Sequence, residues 1–225
     1  MRWLSPLHRA APATVVAALM VLWVQPASGF EPVLRSVERQ AAIDAGKSAA
    51  LAHRGYSVAS YTVYAVPDAL AITPGEGAID AVVVGTPFER VKYASYLAHF
   101  QGQAPSPKDV EEAATPNEIE FVVFAHSSGK LDPAFLSHFT SVSLSISGRT
   151  PLAPISRSTF GPTVDFYNVV GKGREERWLG YDTFAFDLRS LKVQGVDIAR
   201  LGGTFAVIDP NGHKYSLPFD LSKYR

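Results

Sequence analysis

His126, Ser127 and Ser128 bring a base and two hydroxyls together, the material of a serine nucleophile. A working nucleophile needs the base within hydrogen-bond reach and a third group to orient it. Neighbouring residues on a strand point to opposite faces, so His126 and Ser127 do not pair if the strand continues through them. No Gly-x-Ser-x-Gly elbow occurs to lift a serine outward. The simpler reading of this stretch is a strand end running into a polar turn. Asp182 is the acid of most interest, because alternation puts it on the face of Phe184 and Phe186. A carboxyl on an apolar face has a raised pKa and can act as a general acid. The structural alternative is an acid at an exposed strand end, capping a backbone amide. Asp182 with His126 or His138 is thus the candidate dispersed site of a hydrolase.

Other chemistries find less material. His53, His99, His126, His138 and His213 form no His-x-His, His-x-x-x-His or His-Glu-x-x-His pattern, and the chain has no cysteine. Neither a metal nor a cofactor is therefore expected. Glu118 with Glu120, and Glu111 with Glu112, read as surface charge. Gly171-Lys172-Gly173 leads into charges and a strand, whereas a phosphate loop opens a helix. Tyr64, Tyr93, Tyr96, Phe160, Phe166, Tyr167, Trp178 and Tyr181 offer a stacking platform for a sugar or a peptide, against the simpler reading that most aromatics at these periods are core. Trp178 and Tyr181 lie beside the charged turn at 172–177 and are the candidate ligand-binding residues.

The elements that must position these residues are mostly legible. Residues 33–54 suit a helix, with Leu34, Val37, Ala41, Ala45 and Ala52 on one face and Gly55 beyond its end. Glu31 and Arg35 stand four apart, as an ion pair requires. Gly46 counts against that helix by about 1 kcal/mol. Residues 61–66 and 79–84 read as strands. A clearer helix covers 86–100: Thr86 caps it, Pro87 takes the first position, and Glu89 completes a capping box. Its inward face is Phe88, Val91, Ala94, Leu97 and Ala98. Ser106-Pro107 starts a shorter helix, with Asp109 at its third position.

From Glu118 the period changes to two. Ile119, Phe121, Val123 and Ala125 alternate with residues that are themselves apolar toward the middle, which marks a central strand. Val142, Leu144 and Ile146 alternate with serines, as in a half-buried strand. A helical turn opens at Asp132-Pro133 and carries Phe135 and Phe139. Strands are expected at 164–170, 177–188, 204–208 and 214–219, the last two joined by an Asp-Pro-Asn-Gly turn. Six strands between 117 and 221 imply an antiparallel sandwich or small barrel. The fold class expected is α+β: a β-sandwich-like part at 117–225, with the helices of a 30–116 part packed on or beside it as one unit.

Residues 1–29 read as a cleaved export signal. Arg2, His8 and Arg9 make a basic start, Ala10–Val24 is uncharged and mostly apolar, and Ala27 and Gly29 supply small residues before a cut at Phe30. That apolar run is short of the roughly 20 residues of a bilayer span. No later stretch is apolar enough to span. Removing the two leader arginines leaves 19 basic and 21 acidic side chains, a near-neutral balance that argues against a nucleic-acid partner. Export without cysteine, in a chain long enough to bury a core, suits a bacterial envelope, periplasmic or secreted. The function expected is non-enzymatic binding or structural support, with a small ligand or an envelope protein as partner. Its rivals are the hydrolase above and an assembly subunit that pairs through a sheet edge.

Overall fold

The computed structural model describes residues 29–53, 55–146 and 148–225. The expected leader, Gly29 apart, lies outside them. The chain is α+β, with two sheets whose inner faces share one core. In the larger sheet the strands run β1 (Thr62–Ala65), β3 (Ile79–Gly85), β4 (Glu118–His126), β7 (Gly173–Asp187), β6 (Ser156–Val169) and β2 (Ala71–Ile72). All its pairs are antiparallel except β2 with β6. The smaller sheet is antiparallel, in the order β5 (Thr140–Ser145), β8 (Gly202–Ile208) and β9 (Lys214–Asp220). The larger sheet therefore draws strands from both the 30–116 and the 117–225 stretches.

Alternation builds the core. Ile119, Phe121, Val123 and Ala125 of β4 are fully buried, as are Val82 and Val84 of β3. Phe121 stacks on Phe205 of β8 with ring centroids 4.3 Å apart, which ties the two sheets together. Phe30 is buried in the same core, and its backbone N–H donates to the Leu221 carbonyl at 3.2 Å. The β8–β9 turn forms as expected, with Gly212 in the left-handed region at φ 83°.

Three helices, α1 (Ser36–Leu51), α2 (Pro87–Phe100) and α3 (Pro107–Ala113), enclose a second, smaller apolar cluster. A one-turn α4 (Arg189–Val193) follows β7. The face of α1 differs from the one its pattern suggests. Val37 is 68% exposed, and the buried row is Glu38, Ala42, Gly46 and Ala50. Gly46 causes this: a Cβ there would lie 2.2 Å from the Lys92 carbonyl oxygen and 2.7 Å from Ser95 Cβ. The glycine lets α1 rest on the backbone of α2, where the Ser95 hydroxyl donates to the Ile43 carbonyl at 2.7 Å. On α2, buried Ser95 and Tyr96 replace Leu97, which is 39% exposed. Arg35 pairs with Glu38 of the first turn and not with Glu31.

At the edges of the larger sheet, β2 covers only Asn168 and Val169 of β6. From Ser156 to Tyr167 the outer edge of β6 has no strand partner among the described residues. Phe160, Val164 and Phe166 are exposed along it.

Candidate functional site

His126 ends β4, and its partner comes from a bulge in β3. Ile79 pairs with Ala125 and Ala81 with Phe124, so Asp80 is the extra residue on the bulged strand. The bulge turns its carboxylate onto His126, with Oδ1 at 2.8 Å from Nδ1, and both residues are buried. Tyr167 lies against the imidazole, ring centroids 5.2 Å apart. Its phenol is pushed up, first by burial and then by the Asp80 charge. The dyad faces a cleft of 570 Å³ between the loop at 66–77 and the end of both sheets, with Tyr64, Glu76, His213 and Tyr215 on its walls. Beside the cleft, Asp209 accepts from the backbone N–H groups of Ala78 at 2.5 Å, Asn211 at 2.9 Å and His213 at 2.8 Å. That carboxylate pins the β8–β9 turn to the start of β3. A Cβ on Gly77 would lie 1.8 Å from the Tyr215 hydroxyl and 2.7 Å from Asp209 Oδ2, so both side chains would have to move aside.

Asp182 does share the inner face of β7 with Phe184 and Phe186 and is fully buried. Its oxygens are occupied: Arg157 donates from Nε at 3.1 Å and Nη2 at 2.5 Å, and the Thr159 hydroxyl at 2.5 Å. The same guanidinium donates to the Leu136 carbonyl. This network fastens β6 to the turn at 135–138. His138 is half exposed and sits 3.6 Å from Asp132. Asp182, His126 and His138 thus have separate partners and line no common cavity among those around the described residues. Ser127 is committed elsewhere: its hydroxyl donates to the Gly129 carbonyl at 2.7 Å and accepts from the Trp178 N–H at 3.0 Å.

Trp178 and Tyr181 are three apart on an uninterrupted strand and point to opposite faces. Trp178 packs against the main core and donates its indole N–H to the Lys130 carbonyl at 2.8 Å. Tyr181 stands on the outer face with Phe124 and Phe160, at centroid distances of 5.2 and 5.1 Å. Across from it stands α2, and between them runs an apolar groove of 360 Å³. Val122, Phe124, Tyr181 and Thr183 form the floor, and Tyr93 and Tyr56 form a wall.

The polar side of the groove comes from the start of α2. Thr86 caps the helix, accepting from the Glu89 N–H at 3.1 Å. The return bond expected of a capping box is not made. The Glu89 carboxylate accepts instead from the Tyr56 hydroxyl at 2.5 Å and pairs with Lys92 at 3.1 Å. Burial pushes the Glu89 carboxyl up, and the Tyr56 and Lys92 contacts partly offset that rise. Arg90 lies beside it, held by Glu118 and, at 2.7 Å, by Glu120, the two acids expected to be plain surface charge.

Asp80, Tyr56 and Phe124 are the residues that sequence reasoning passed over, and Glu89 was read only as a capping residue. Asp80 carried the same signal as Asp182, an acid inside an apolar strand. No group of three or more potential metal ligands converges among the described residues. Within them no helix is long and apolar enough to cross a membrane. No family model, no curated protein and no solved structure matches this chain.

Proposed function

We propose that this is an exported protein of a bacterial envelope that binds a small ligand with a flat apolar body in the groove between α2 and the outer sheet face. The carrying observation is the groove itself: 360 Å³ of mostly apolar space, floored by Phe124 and Tyr181, with Glu89 and Arg90 converging at one side. That volume and that balance of surface are those of small-molecule sites. The rings are rigid, so binding costs little side-chain entropy. Export draws its support from the pattern of residues 1–29.

The neutral fluorophore N-phenyl-1-naphthylamine tests the groove. Its emission should rise on binding, and Thr183→Trp, which fills the floor, should abolish the rise while leaving the fold intact. An unchanged rise in that variant would place the probe elsewhere and remove this reading. The intact mass of protein recovered from the host's envelope tests export, with a chain beginning at Phe30 as the expected result.

A second reading has its own observation. The unpaired outer edge of β6 between Ser156 and Tyr167, with Phe160, Val164 and Phe166 exposed, is what an assembly subunit pairing by strand addition would present. The hydrolase reading draws only on His126 with Asp80, because Asp182 is committed to Arg157 and Thr159 and His138 stands apart.

A further inference from the structure

We propose that the cleft beneath the 66–77 loop is a second binding site, for a small organic cation carrying a primary ammonium. Asp80 begins the argument. It is 7% exposed, its Oδ1 accepts from His126, and its Oδ2 is buried with no hydrogen-bond partner. The Tyr167 hydroxyl lies near this carboxylate without reaching hydrogen-bond geometry. A buried carboxylate oxygen left unpaired is costly, and such a group calls for a donor that arrives with a ligand.

The rest of the cleft offers acceptors. His126 lines the cleft with its Nδ1 held on Asp80. Glu76 and Asp68 add carboxylates at the rim, and no lysine or arginine lines this cavity. Lys172 and Arg177 line an adjoining cavity of 220 Å³ that shares Glu76 and His126 with the cleft, and Arg177 is paired with Glu175 at 2.6 Å. Tyr64 and Tyr215 meet edge to face at 5.5 Å and supply aromatic surface. Burial first, and then Glu76 and Asp80, hold the Tyr64 phenol up, so it remains neutral beside those charges.

An ammonium has three donors and no acceptor, and it is attracted to aromatic faces. The buried Asp80 carboxylate, with the Glu76 and Asp68 carboxylates at the rim, gives it a negatively charged seat. A divalent metal does not fit, since no three ligands converge there among the described residues. At 570 Å³ the cleft has room for a compact amine.

Isothermal titration calorimetry with benzylamine, and with benzyl alcohol as its neutral counterpart, tests the proposal. Benzylamine should bind saturably and benzyl alcohol should not. Glu76→Gln, an exposed change that the fold tolerates, and Asp80→Asn should each weaken the amine by about tenfold. In NMR spectra the amine should shift resonances of Tyr64 and His126 and spare Tyr181, which separates this site from the groove. Equal heats for amine and alcohol, no saturable heat for the amine, or full affinity in Glu76→Gln would each overturn the proposal.

Discussion

At the scale of single residues, the buried acids divide by what holds them. Asp182 and Asp209 have every oxygen engaged and act as fasteners. Asp80 and Glu89 line open space and keep chemistry in reserve. Glu89 makes a pH prediction. Its folded pKa lies above the unfolded one, so the protonated form is the one that folding favours. Below the unfolded carboxylate range both states are protonated and Glu89 costs nothing; as pH rises through the raised folded value the cost comes fully into force. Glu89→Gln keeps an oxygen for Tyr56 and loses that dependence. Urea midpoints measured from acid to neutral pH should therefore show the variant gaining on the parent as pH rises, and a constant difference would refute the assignment. Alternation alone placed Asp182 on its face, because that property is local. The pairing of Asp80 with His126 was hidden, because it depends on a bulge and on the register between two strands 46 residues apart.

At the scale of elements, what was legible was again what is local. The caps of α2 and α3 follow from Thr86-Pro87 and Ser106-Pro107. The β8–β9 hairpin follows from its turn residues. The inward face of α1 did not follow, because a glycine chose it. Gly46 weakens an isolated helix, yet it is the point where α1 meets the α2 backbone. Two effects of Gly46→Ala compete. Helix propensity gains about 1 kcal/mol. Overpacking costs about 1–3 kcal/mol. The clash is with a main-chain carbonyl, which cannot rotate away, so overpacking wins. Thermal unfolding should show Gly46→Ala melting below the parent, while Ser48→Ala, on the exposed side of the same helix, should melt at or slightly above it. Equal gains in both variants would mean that the helices do not touch at this glycine.

At the scale of the whole molecule, the strand order was the least legible feature. β1 and β3 join β4 and β7 in one sheet across the helical segment, and no local pattern specifies that crossing. The order leaves β6 outermost, with β2 guarding only its last residues. Sedimentation at rising concentration should show association that a charge at the edge, Phe160→Lys, suppresses. A parent that stays monomeric throughout would eliminate assembly through this strand. The seat of Phe30 carries a different consequence. Phe30 closes onto Leu221, so residues from distant parts of the chain must meet before the core is complete. Contacts between positions so far apart form slowly, because a long loop must close before they are made. A molecule closed this way holds together by its longest loop, so cutting the chain anywhere between the two residues should loosen the core on both sides of the cut.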